Sequence, residues 1–207
     1  MRSFIRRFLP AKELPMTNPS SLYVNSGTAI LNKGFTVRVD QPVHGKIYAT
    51  IGDDSILNCR LIFESPEGEI RIGKRVFIGN SELICRTRIE FGDNIFVSWG
   101  CTFADHDGHS VDYRERENDL TQLLEDLRRP GKLTERKNWS SVKSQPIIVG
   151  SNAWIGMHCI ITKGVRIGTG AIIAAGSVVV NDIPAWTVAG GNPAKVIREI
   201  PVEMRKG

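Results

Sequence analysis

Long apolar runs are missing from this 207-residue chain: nothing approaches 18 consecutive apolar residues, so no helix of it spans a membrane. A secretory leader is not apparent either. MRSFIRRFLPAKELP is basic with a few apolar residues, and Pro10 interrupts it before a long apolar region can form. The expected compartment is therefore the cytoplasm. The segment reads as an arm for peripheral contact with an anionic surface such as a membrane, or as a flexible or partner-packed terminus. Cys59, Cys85, Cys101 and Cys159 show no CxxC pairing and no metal-ligand spacing, so buried, reduced thiols and no metal are expected. Aromatic residues make up only 7% of the chain and 20 glycines are scattered through it, which suits many tight turns and modest side-chain bulk. The net charge of +5 and pI near 9.2 suit an anionic ligand. No basic run is interleaved with stacking aromatics, however, so a phosphorylated small molecule fits better than a nucleic acid.

What is present is a beat of six. Val149, Ile155, Ile161, Ile167, Ile173 and Val179 follow one another at intervals of six without a slip. The next residue is mostly small (Gly150, Gly156, Thr162, Gly168, Ala174, Val180), and four places on comes a small or β-branched one (Ala153, Cys159, Val165, Ala171, Ser177, Ile183). Such a period fits neither a helix nor an alternating strand, and it marks a solenoid. Each hexad supplies one short strand whose aliphatic residue points into a narrow interior. Three hexads make a triangular coil, and coils stack at about 4.8 Å.

The beat recurs upstream with interruptions. Ile51, Leu57 and Phe63 are in phase; after SPEGE come Ile72, Ile78 and Ile84; then Phe91, Val97 and Phe103 continue one residue out of register, which implies a single insertion between Ile84 and Phe91. Between His109 and Val149 the beat stops. NDLTQLLEDLRRPG places Leu120, Leu123, Leu124 and Leu127 at helical spacing, with Asn118 as a cap and Pro130-Gly131 as a stop. The expected organisation is a capping region at 1–45, a coil at 46–200 carrying a loop insertion at 110–147, and a tail at 201–207. Near the end Gly190-Gly191 turn the chain, and AKVIREI closes the last coil as a strand or a helix.

WIGMHCIITKGVRIGTGAIIAAGSVVV followed by IPAWTVAGGNPAKVIREI closely resembles the hexapeptide-repeat acyltransferases, over roughly residues 50–200. Within them the chain looks most like the maltose and galactoside acetyltransferase branch and its relatives in polysaccharide biosynthesis. The resemblance implies an all-β solenoid, a left-handed parallel β-helix with a long helix-containing loop and a short closing element. It also implies a homotrimer with active sites between neighbouring β-helices, acetyl-CoA as acyl donor, no metal, and a hydroxyl of a sugar or glycan precursor as acceptor. Two other functions use the same fold: a non-catalytic scaffold, and a γ-type carbonic anhydrase, which needs three histidines on zinc.

Acyl transfer to an alcohol needs a base for the hydroxyl proton, and a neutral imidazole suits the task. Of four histidines, His44 lies in the expected cap and His158 at an outward repeat position, while His106 and His109 sit together in FADHDGHSVDYRER. The resemblance selects His109 as general base through Asp107-Gly108-His109-Ser110. Asp105, Asp107 or a backbone carbonyl would orient the ring. Asp105, His106 and Trp99 are expected near the acceptor, and Ser98, Trp99 and Gly100 offer N–H groups for the oxyanion. By the same resemblance Gly156, Met157, Ala175 and Gly176 pack the pantetheine arm, and Lys195 and Arg198 meet the CoA phosphates unless they are plain surface charge. Val180 and Asn181 depart from the family, where a hydroxyl and a lysine are common. Trp154 packs near the cofactor groove, in the core or at an interface.

Overall fold

The computed structural model describes residues 21–128, 134 and 136–205. The basic arm and the Pro130-Gly131 stop lie outside them. The chain winds through short strands in groups of three. The first group is β1 (Tyr23–Asn25), β2 (Ile30–Leu31) and β3 (Thr36–Val39), and the second β4 (Ala49–Ile51), β5 (Ile56–Leu57) and β6 (Arg60–Phe63). The third is β7 (Glu69–Ile72), β8 (Phe77–Ile78) and β9 (Glu82–Cys85), and the fourth β10 (Arg88–Phe91), β11 (Phe96–Val97) and β12 (Thr102–Ala104). After a helix, α1 (Tyr113–Leu127), come β13 (Ile147–Val149), β14 (Trp154–Ile155) and β15 (Ile160–Thr162), then β16 (Arg166–Ile167), β17 (Ile172–Ile173) and β18 (Val178–Val179). The final pair is β19 (Thr187–Gly191) and β20 (Ala194–Glu199).

Each strand up to β15 hydrogen-bonds to the one three places on and β17 pairs with β19, so three sheets form, parallel throughout except for the antiparallel β20. Face one holds β1, β4, β7, β10, β13 and β16; face two holds β2, β5, β8, β11, β14, β17, β19 and β20; face three holds β3, β6, β9, β12, β15 and β18. The repeating aliphatic residues stack inward. Ile51, Ile72, Phe91, Val149 and Ile167 lie in register on face one, and Leu57, Ile78, Val97, Ile155 and Ile173 on face two, all nearly or wholly buried. Full burial of each such side chain contributes about 1.5–3 kcal/mol, which drives the coil closed. The four cysteines are free and buried in the same interior.

Three expectations change. Residues 23–39 already form a coil, since β1, β2 and β3 pair in parallel with β4, β5 and β6. The sixfold beat is present there as Asn25, Leu31 and Val37, which pair with Ile51, Leu57 and Leu61. A polar residue in the first place and the long turn after β3 hide it. On face three the inward column is Val37, Leu61, Leu83, Phe103, Ile161 and Val179. Leu83 therefore takes the place expected of Ile84, because the turn after Ile78 is one residue shorter than a hexad and the next turn is longer. Phe63 is also buried, but it pairs with Cys85 rather than continuing the axial column. Finally, α1 starts five residues before the expected cap, with the Asp112 carboxylate accepting from Arg114 N–H at 3.0 Å. At the end of the coil β20 folds back antiparallel on β19, closing face two.

Candidate functional site

β12 ends at Ala104 and face one resumes at Ile147, so the whole excursion between them leaves and rejoins the coil at the edge between faces three and one. Asp105 anchors its start. The carboxylate is fully buried and accepts the backbone N–H groups of Arg86, Thr87 and Arg88 at 2.7, 2.6 and 2.8 Å, plus the Thr87 hydroxyl at 2.9 Å. Three N–H donors and a hydroxyl tie this carboxylate to the preceding coil. His106 is buried beside it; its Nδ1 accepts from Gly108 N–H at 3.0 Å, Nε2 faces Glu64 at 3.5 Å, and burial pushes its pKa down despite Glu64. Asp107 turns away to an ion pair with Lys163 at 2.5 Å.

His109 stands apart from these, with 60% of its side chain exposed. Its Nδ1 lies 2.5 Å from Asp119 Oδ2 on α1. A carboxylate only accepts, so Nδ1 carries a proton, and in the neutral ring that leaves the lone pair on Nε2. Lys137 reaches in from the far limb of the loop, 3.3 Å from Asp119 and bonded to the Gly108 carbonyl. Its 3.4 Å approach to Nδ1 is proximity between two donors rather than a hydrogen bond. Burial raises the Asp119 carboxyl, but the His109 and Lys137 contacts outweigh it and hold the group below its usual value. The orienting contact thus comes from Asp119, ten residues downstream, and from neither Asp105 nor Asp107.

Beside His109 opens a cavity of about 310 Å³, lined among others by Arg38, Asp40, Glu64, Asp119, Gln122 and Asp126. Its size is at the lower end for small-molecule sites. Arg38 pairs with Asp40 at 3.0 Å and approaches Glu64 at 3.7 Å. Burial, opposed by Arg38, pushes the Asp40 carboxyl up to about 6. His106 does not line the cavity; it stands behind Glu64.

The residues expected to hold the donor lie elsewhere. Gly156 and Met157 follow β14, and Ala175 and Gly176 follow β17, so all four sit at the edge between faces two and three. Ser98, Trp99 and Gly100 share that edge, while Lys195 and Arg198 are exposed on β20 at the end of face two. Gly156 has a packing reason of its own, because a Cβ there would stand 2.6 Å from the Ala175 amide. Gly176 has open space and a φ of +73°, so its turn rather than its neighbours selects glycine. Trp99 is half exposed and lies with Phe77, Phe96 and Trp154 in an apolar hollow on face two, away from His109. One chain therefore does not bring the donor residues or Trp99 to His109. Among the described residues no group of three or more His, Cys, Asp or Glu stands together as a metal site.

Residues 146–181 match the family described as "Bacterial transferase hexapeptide (six repeats)". The chain is 31% identical over 156 residues to the galactoside O-acetyltransferase of Escherichia coli (strain K12), covering 75% of this chain and 66% of that one. Other curated relatives are spanned over 34–57% of their length. Among solved structures, the N-acyltransferase AntD from Bacillus cereus, in complex with dTDP and 3-hydroxybutyryl-CoA, superposes with a TM-score of 0.63 over 88% of this chain and 85% of that one, at 20% identity. A hexapeptide-repeat containing acetyltransferase from Vibrio cholerae superposes at 0.52 over 86% and 74%, at 22% identity. At such identities the likeness is one of fold.

Proposed function

Because this chain belongs to the hexapeptide-repeat transferases, we propose that it is an acetyl-CoA-dependent O-acetyltransferase acting on a hydroxyl of a sugar or glycan precursor. The observation that carries the reading is His109, oriented by Asp119 at the mouth of a polar cavity. With Nδ1–H held by the carboxylate, Nε2 takes the acceptor's proton as its oxygen attacks the thioester carbonyl. The imidazolium so formed is stabilised by Asp119 and then returns the proton to the departing CoA thiolate. The tetrahedral oxyanion needs an N–H donor about 3 Å away. The turn at Ser98, Trp99 and Gly100 offers candidates from a second copy.

The separation of donor and base residues supports the homotrimer. Gly156, Met157, Ala175 and Gly176 lie on one border of face three and His109 on the other. A neighbouring copy is what brings a donor border up to His109, in a left-handed parallel β-helix of the kind the family uses. A polysaccharide-precursor pathway in the cytoplasm, with the basic terminus available for peripheral membrane contact, completes the reading.

The test is release of free CoA thiol from acetyl-CoA across a panel of sugars and nucleotide sugars. His109→Ala should lower acceptor-dependent turnover by about 10²–10⁴-fold. Asp119→Asn, which releases the ring from its working tautomer, should cost about 10²-fold in kcat. Collapse in Asp107→Asn instead would move the orienting role to Asp107. Absence of acceptor-dependent release together with absence of CoA binding would leave only the scaffold function.

A further inference from the structure

The helix α1 presents the wrong side to the coil for a purely structural element. Leu120, Leu124 and Leu127 are about half or more exposed, whereas Asp119 and Asp126 are turned inward. Asp119, Gln122 and Asp126, at i, i+3 and i+7, form one stripe and all three line the cavity beside His109. A helix that leaves leucines in water and carries a polar stripe inward is arranged for what the stripe contacts. Several of those contacts lack a partner. Asp40 Oδ2, Gln122 Oε1 and Asp126 Oδ2 are buried with no hydrogen bond among the described residues, and so are Arg38 Nε and Thr134 Oγ1 on the same lining. Buried groups of this kind normally find one, in protein, water or ligand.

The missing partners have a definite chemistry. The Asp40, Gln122 and Asp126 atoms are oxygens that accept, Arg38 Nε donates and Thr134 Oγ1 can do either. The partner must therefore both donate and accept, as a hydroxyl group does. The charges beside them are already compensated: Asp126 Oδ1 pairs with Arg136 at 3.0 Å, Asp40 Oδ1 with Arg38 at 3.0 Å, and Asp119 with Lys137 at 3.3 Å. What remains are mostly lone pairs in need of donors, with one N–H in need of an acceptor. An anion would meet four carboxylates, Asp40, Glu64, Asp119 and Asp126, against the two cations Arg38 and Lys137. The positive balance of the whole chain is not gathered here.

We infer that the cavity seats one neutral, polyhydroxylated ring of the acceptor, whose hydroxyl groups donate to Asp40, Gln122 and Asp126 while a further hydroxyl faces His109. This rests on the acetyltransferase reading above and adds the charge class and the residues that select it. The volume of about 310 Å³ admits a single ring. Asp40 and Glu64 belong to the turns after β3 and β6, so the coil, and not the loop alone, chooses the acceptor.

Saturation-transfer NMR on the full chain, with methyl hexosides, their C6 uronates and their 6-phosphates as probes, reads binding without turnover. The neutral rings should bind, and the two anionic series should bind about tenfold or more weakly. Asp40→Asn should weaken the neutral rings by about 10- to 100-fold, and Gln122→Met by about 2- to 10-fold, the ordinary values of a charged and a neutral hydrogen bond. Gln122→Met keeps a strong helix former on α1, and a thermal melt checks that both variants fold. Neutral rings that bind in this pattern without CoA release would uphold the cavity assignment and remove the acetyltransferase reading. Tighter binding of the uronates or phosphates, neutral binding unchanged in both variants, or no binding of any neutral ring would overturn the assignment even if CoA were released.

Discussion

Asp40 shows how a single residue can be set against its own fold. Its carboxylate is buried, one oxygen is unpartnered, and its pKa is raised from 3.8 to about 6. A carboxyl whose folded pKa lies above the unfolded value binds its proton more tightly in the native state. The native state therefore loses stability as pH rises from about 4 through about 6, on the order of 2–3 kcal/mol in all. Asp40→Asn does not titrate, so its melting temperature should gain on the wild type across that window and stay above it at pH 7. A gap that stays flat with pH would show that Asp40 is not charged against burial. Improved stability with impaired sugar binding is the pattern of a residue kept for function. None of this was legible in the sequence, because Asp40 and Glu64 reach the cavity through coil geometry and not through any local motif. His109 was legible as a histidine where the beat stops. Asp119 was hidden by the ten residues of loop and helix that separate it from the ring it holds. Asp105 and Asp107 look equally apt in the sequence; backbone donors claim the first and Lys163 claims the second.

At the scale of elements, the legible part is the part with uniform turns. From Val149 to Val179 the turns between strands have one length, and the inward residues fall on the sixfold beat. Upstream the turns vary, and spacing alone no longer says which of two adjacent apolar residues faces the axis. Leu83 and Ile84 are such a pair. Leu83 is fully buried and stacks between Leu61 and Phe103, whereas Ile84 points to the outer surface of face three. Leu83→Ala should cost about 2–5 kcal/mol in denaturant unfolding, the range for a large-to-small change in a packed core. Ile84→Ala should cost less than about 1 kcal/mol, being a partly exposed position away from the axis. The reverse order would mean that the register of β9 is one residue off. The same limit explains α1. Its leucine spacing announces a helix but not its start, which the Asp112 cap fixes, nor the exposure of those leucines.

For the whole molecule the open question is what covers face two. Its outward positions form a ladder, Ile30, Ile56, Phe77, Phe96, Trp154, Ile172 and Val188, one rung per coil from end to end. Ile30, Phe96 and Trp154 are more than half exposed, and Trp99 adds its ring at 6.2 Å from Phe77. An apolar strip of this continuity marks a contact surface. In the proposed trimer, a threefold ring built from heterologous contacts, the ladder would meet a different patch on the next copy. The exposed leucines of α1 are such a patch, and they lie at the edge that carries His109. Packing ladder against leucines would draw the border with Gly156 and Met157 towards a neighbour's imidazole. One contact would then explain both the bare helix and the divided site. Phe96→Glu places a charge at the middle of the ladder without touching the interior. In sedimentation velocity the wild type should run as a trimer and Phe96→Glu as a monomer, with an unchanged far-UV spectrum and no acetyl transfer. Leu124→Glu should do the same from the other side of the contact. A wild type that is monomeric while active would remove the need for a second copy, and a trimer that survives both substitutions would place the contact on another face.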